Sequence, residues 1–167
     1  MNNPNHLIKI LAAGCCIAMT VCLANAAEPS VPIPEGEVSV EKVKTFFDAA
    51  FMKTQIDKDG DLQIEDSGFK TFVRVDKKKK LISIFSLWTV KASVAEAKKL
   101  KAVNTLNDSL IVVRFAISDP TTLTCDYQVP YEGGITAYAM VNNYRLFARV
   151  VKEAADREEM RSILGED

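Results

Sequence analysis

Four carboxylates fall close together at Asp57, Asp59, Asp61 and Glu65, and acidic groups at that density point first to metal binding or acid–base work. Asp57, Asp59 and Asp61 take the first, third and fifth positions of a calcium loop. The match stops there. The sixth position requires glycine and holds Leu62, and the twelfth requires a bidentate glutamate and holds Gly68. The flanks Thr54-Gln55-Ile56 and Leu62-Gln63-Ile64 alternate as strands do, so the favoured reading is a β-hairpin with Asp59-Gly60 at its turn. A carboxylate-dependent metal-binding protein or hydrolase using the Asp57 to Glu65 loop stands as the alternative function. Such groups need a cleft and a partner that shifts a pKa.

The remaining reactive groups are few. Cys125 lies between Leu123 and Tyr127 on the apolar side of an alternating segment, with Thr124 and Asp126 opposite, which predicts a buried, inert thiol. Asn104 and Asn107 project to one side near a helix end and carry structural expectations only. Asn107 should stop the helix in a left-handed conformation, and Asn104 should bond to a neighbouring loop. Lys77 to Lys80 read as a solvated turn that discourages edge pairing, with an acidic partner or anionic lipid surface as the sharper alternative. No glycine-rich phosphate loop is present. No catalytic residue, bound metal or cofactor is therefore expected.

The N-terminus narrows the chemistry further. Met1 to Lys9 is polar with one positive charge, Ile10 to Leu23 is apolar or small apart from Thr20, and Ala24-Asn25-Ala26 supplies a cleavage site. Residues 1–26 thus read as a secretory signal peptide, with lipidation at Cys15 as the alternative. Cleavage removes His6, the one histidine, and three of the four cysteines, leaving Cys125 without a disulfide partner. Histidine general bases, Ser-His and Cys-His pairs and most zinc sites go with them. Lys9 also leaves, so 20 basic residues face 22 acidic ones, a balance that does not suggest nucleic acid. The expected location is periplasmic or secreted, without stable membrane insertion of the mature chain.

These groups must be held by a small set of elements. Pro29, Pro32 and Pro34 make residues 27–37 an extended tether. A single domain follows over 38–163, with 164–167 as a flexible tail. Ser39 caps a first helix whose stripe is Val40, Val43, Phe46, Phe47, Ala50 and Phe51. The Asp59-Gly60 hairpin and a strand over Lys70 to Val75 come next. Leu81 to Val90, including Trp88, is apolar on both alternating faces, which predicts a central strand covered on both sides. A capping box at Ser93 to Glu96 starts a second helix to about Leu106, with Ala97, Leu100, Val103 and Leu106 inward and Lys98, Lys99 and Lys101 outward. A second hairpin spans Ile111 to Ser118 and Thr122 to Val129. The last helix should run from about Thr136 to Ile163, with a charged end beyond Ala154 that projects or frays.

In this order the chain resembles the YbjN-like family of bacterial proteins, described as sensory-transduction regulators. The resemblance rests on the hairpin Gln55 to Ile64, the strand Phe72-Val73-Arg74-Val75, the segment Leu81 to Trp88, the helix end Ala102 to Asn107 and the hairpin Val112 to Val129. It implies an α+β fold similar to type III secretion chaperones: an antiparallel β-sheet with packed helices in the order α-β-β-β-β-α-β-β-α. It also implies protein binding, often as a dimer, in place of catalysis. Family members are commonly cytoplasmic, whereas this N-terminus predicts export. The expected function is an exported, non-enzymatic, chaperone-like or regulatory module of the bacterial envelope, whose partner is another protein or a second copy. On the last helix Val141, Tyr144, Phe147, Val150, Val151 and Ala154 make an apolar stripe that Tyr138, Met140 and Leu146 widen beyond what one packing contact needs, and Tyr138, Met140, Tyr144 and Phe147 form the expected interface.

Overall fold

A computed structural model of the chain describes residues 31–66 and 68–165. The expected signal peptide, its cleavage site and Cys15 lie outside the described residues. Helix α1 (Val40–Ala49) begins where expected, with the Ser39 hydroxyl accepting the Lys42 N–H at 3.2 Å. Strands β1 (Lys53–Ile56) and β2 (Leu62–Asp66) follow as a hairpin. Its turn forms because Gly60 takes a φ of 82° and Asp57 Oδ1 accepts the N–H groups of Asp59 and Asp61 at 2.9 and 3.0 Å. The turn thus consumes carboxylate capacity that a metal would need.

Strands β3 (Phe69–Asp76) and β4 (Leu81–Thr89) are joined by the lysine turn, where Asp76 Oδ1 accepts the N–H groups of Lys78 and Lys79. After helix α2 (Glu96–Ser109) comes the hairpin of β5 (Arg114–Asp119) and β6 (Thr122–Pro130), then helix α3 (Ala137–Ala155) and the short helix α4 (Glu158–Arg161). The strands form one antiparallel sheet of six in the order β1-β2-β3-β4-β6-β5. β4 sits inside it, as its β-branched and aromatic content predicts. This is the expected α+β fold. Among the described residues, no helix is long and apolar enough to cross a membrane.

Alternation along the strands divides the sheet into two unlike faces. Leu62, Ile64, Val73, Ile82, Ile84, Phe115, Leu123 and Cys125 point one way, into a single core with Val43 and Phe47 of α1, Val103 and Leu106 of α2, and Val151 of α3. Phe47 meets Tyr144 of α3 edge-on, with ring centroids 5.3 Å apart. The other face is not covered in this way. Phe72, Phe85 and Leu87 lie outside the core, and Leu87 is 54% exposed. The expectation of a β4 covered on both sides is therefore wrong, because the helices all join one core on one face.

The helices depart from expectation in ways that packing explains. The expected α1 stripe includes Phe51, but the helix ends at Ala49 and Phe51, at a φ of 60°, is 98% exposed. Helix α2 starts at Glu96 with Ala95 in the capping position and no side-chain cap, so Ser93 does not begin it. Its buried face is Lys99, Ala102, Val103 and Leu106, while Ala97 and Leu100 are exposed. Lys99 turns inward because its aliphatic stem covers apolar surface while Nζ donates to the Pro120 carbonyl at 2.5 Å. The last helix is not continuous to Ile163. It stops at Ala155, and Met160 and Ile163 pack into the core where a projecting end was expected.

Isolated backbone bridges outside the six strands tie Leu164 and Ile33 back to the domain. Leu164 bridges Val90, and Lys91 N–H donates to the Ile163 carbonyl at 2.9 Å. In the segment expected to be a tether, Ile33 pairs with Ile135 through two backbone bonds of 2.9 and 3.1 Å. Gly134 makes that approach possible, since a Cβ there would run into the Ile33 carbonyl.

Candidate functional site

Strand register brings Gln55, Gln63, Phe72, Phe85, Asp126 and Arg114 into one row across the open face. Phe72 and Phe85 are directly opposite on β3 and β4, and their rings stack at 5.3 Å with 22° between planes. The Arg74 guanidinium lies 5.2 Å from the Phe85 centroid. It is held there by Asp61, with Nε to Oδ1 at 2.8 Å and Nη2 to Oδ2 at 2.5 Å. That contact raises the Arg74 pKa, and the guanidinium is always charged.

A second arginine is placed the same way at the other side of the row. Arg114 Nε and Nη2 both donate to Asp126 Oδ2, at 3.0 and 2.7 Å. In both pairs the carboxylate is sunk and the guanidinium is outward: Asp61 and Asp126 side chains are 6% and 10% exposed, against 58% and 71% for Arg74 and Arg114. A partner approaching this face meets aromatic carbon and guanidinium edges first. Between Arg114 and the start of β4 lies a depression of about 580 Å³, floored by Ser83, Asp126 and Gln128 and walled by Leu81 and Val112. Val112 holds a φ of 86°, a costly conformation for a β-branched residue, and the neighbouring Ile111 is 82% exposed.

The residues first expected to bind are mostly elsewhere. Tyr138 is 74% exposed, but Met140, Tyr144 and Phe147 are fully buried, so the expected α3 interface does not exist as a surface. The helix has a wide apolar face because it meets α1, β6 and α4 together. The Tyr144 hydroxyl is buried without a hydrogen bond of ordinary geometry, and burial followed by the Asp66 charge pushes its pKa up to about 12. Trp88 is half-buried against the core.

Asn107 does not end α2. It lies within the helix and pairs with Phe115, whereas Asn104 is exposed. Cys125 is buried, and burial followed by the neighbouring Asp126 charge drives its pKa upward.

The carboxylates of the first hairpin are dispersed among separate partners. Asp57 holds the turn, Asp61 holds Arg74, and Glu65 takes Lys53 Nζ at 2.6 Å, which lowers its pKa. Among the described residues no group of three His, Cys, Asp or Glu side chains is placed to hold a metal. In the lysine turn, Lys80 pairs with Glu35 at 3.0 Å and holds the Glu35 carboxyl below its ordinary value. Phe72, Arg74, Phe85 and Arg114 were the residues missed. Their signal was parity: each occupies the strand position opposite in phase to Val73, Ile84 or Phe115, so two phenylalanines had to stand on the face away from the core.

Comparison with known proteins agrees with this architecture. A crystal structure of YbjN, "a putative transcription regulator from E. coli", superposes with a TM-score of 0.65 at 11% identity, covering 77% of this chain and 96% of that one. At that identity the likeness concerns the fold. No curated protein matches the chain. The family model YbjN, "Putative bacterial sensory transduction regulator", matches residues 39–158, which spans α1 to the start of α4. The chain belongs to the YbjN family.

Proposed function

We propose that the chain is an exported, non-enzymatic regulatory module that binds another protein through the open face of its sheet. The observation that supports this is the cluster of Phe72, Phe85 and Leu87 bracketed by outward arginines on a face no described helix covers. Aromatic residues and arginine are what interface cores enrich, and a centrally placed stacked pair is the arrangement expected of an energetic hot spot. Membership of a family described as regulators agrees with binding in place of turnover. Export rests on the N-terminal pattern of Lys9, Ile10 to Leu23 and Ala24 to Ala26.

The test is co-purification of the tagged chain from native envelope, wild type against Phe85→Ser, with Tyr138→Ser as an exposed control. A partner retained by wild type and the control, and lost by a Phe85→Ser variant of unchanged fold, supports the reading. Equal capture by all three sinks it. Mass spectrometry of the purified N-terminus tests export, with Ala27 as the expected first residue. An intact Met1 or a lipid on Cys15 would overturn cleavage at Ala26.

A further inference from the structure

The two edges of the sheet are treated differently. On β5 the outward N–H and C=O of Phe115 are both taken by the Asn107 side chain, each at 2.9 Å, so that edge is closed to another strand. On β1 no such cover exists among the described residues. Asp57 N–H donates to the Asp61 carbonyl, so in this hairpin residues 53, 55 and 57 face β2 while Thr54 and Ile56 turn their backbone groups outward. Those outward groups have no protein partner among the described residues, and β1 is flanked by Phe51 at 98% exposure and carries Ile56 at 40%. An open edge framed by exposed apolar side chains is a template for strand pairing.

We propose that two copies of this chain pair antiparallel along β1, with Thr54 of one opposite Ile56 of the other and Gln55 on the two-fold axis. Charge selects this register. Only outward residues can form hydrogen-bonded pairs, which leaves Thr54 opposite Thr54, Thr54 opposite Ile56, or Ile56 opposite Ile56. The first sets Lys53 against the neutral Gln55. The last pushes the pairing into the Asp57 to Gly60 turn. The middle register places Lys53, whose side chain is 80% exposed, opposite Asp57 twice over, once on each side of the axis.

Asp57 spends Oδ1 on its own turn, which leaves Oδ2 for the incoming Lys53 ammonium, whose one partner among the described residues of its own chain is Glu65 at 2.6 Å. The same register also carries the row that starts at Gln55 on the open face continuously into the second copy. This pairing is independent of the partner-binding reading, because it uses the edge and not the face.

The test uses the chain purified as its host processes it. Residues facing each other in a non-hydrogen-bonded antiparallel pair have Cα atoms about 4.5 Å apart, within disulfide range. Gln55→Cys should therefore give a disulfide-linked dimer on mild oxidation, reversed by dithiothreitol, while Lys53→Cys, which lies away from the axis, should give at least ten-fold less. Sedimentation of wild type should show concentration-dependent dimer. Ile56→Pro removes one outward N–H and no bond within the hairpin, so it should keep the fold and weaken the dimer at least ten-fold. A wild-type monomer at every concentration, or a dimer in which Gln55→Cys and Lys53→Cys cross-link alike, overturns the proposal.

Discussion

Asn107 of α2 meets Phe115 of β5 with both ends of its amide: Nδ2 donates to the Phe115 carbonyl and Oδ1 accepts the Phe115 N–H, each at 2.9 Å. A helix side chain thus does what a seventh strand would do at that position. Asn107→Ala leaves both backbone groups without a protein partner and should cost about 1–3 kcal/mol in urea unfolding. Asn107→Asp keeps the acceptor and loses the donor, so it should fall between wild type and alanine. Indistinguishable unfolding midpoints for the three proteins would show that water replaces the amide without loss.

The Asp57 to Glu65 loop should not take calcium. Both Asp61 oxygens accept from Arg74, and Asp57 Oδ1 already serves two N–H groups. Calorimetric titration should give no saturable heat and no change in melting temperature. Arg74→Ala should destabilise by about 1–3 kcal/mol, because it strips a sunken carboxylate of its partner while exposing little new apolar surface. A one-site calcium isotherm would reverse the assignment of this loop.

Tyr144→Phe should be tolerated or favourable, within about 1 kcal/mol, since the hydroxyl it removes is buried without an ordinary hydrogen bond. The pH dependence is a sharper readout. Folding raises the phenol from its ordinary 10.0 to about 12, so the unfolded chain releases this proton first. The contribution to stability is complete below pH 10 and is lost as pH rises from there toward about 12. Unfolding followed across that range should show a shallower decline for Tyr144→Phe than for wild type. Parallel profiles would mean the phenol is not shielded.

Cys125 should resist alkylation in the folded protein at pH 8 and react promptly in denaturant, read by mass spectrometry of the peptide that contains it. Burial and the adjacent Asp126 charge hold the thiol protonated well above its ordinary value. Because the unfolded thiol ionises at roughly pH 8.5, its contribution to stability is present below that value and declines above it. Rapid native labelling would show that the sheet interior opens.

Much of the fold is legible because it is local. Ser39 starts α1, Gly60 makes the first hairpin turn, and the alternation of Leu123, Cys125, Tyr127 and Val129 places Cys125 inside. The helix faces are less legible, since propensity and stripe do not say how many neighbours a helix has. Lys99 reads as a surface lysine and is 3% exposed, because α2 leans on β5 close to the Pro120 carbonyl. Met140 reads as surplus apolar surface and is buried, because α3 is contacted from three directions.

The sequence by itself determined the order of the strands and of the first three helices, the turns, the central position of β4 and the burial of Cys125, since each follows from short-range periodicity and backbone preference. Only the tertiary structure decided which face of the sheet the helices cover. That choice depends on how α1, α2, α3 and α4 gather into one core, and no single segment encodes it. The same Phe72 and Phe85 would be interior had a helix crossed to their side. As the chain folds, they stand stacked on the open face beneath Arg74.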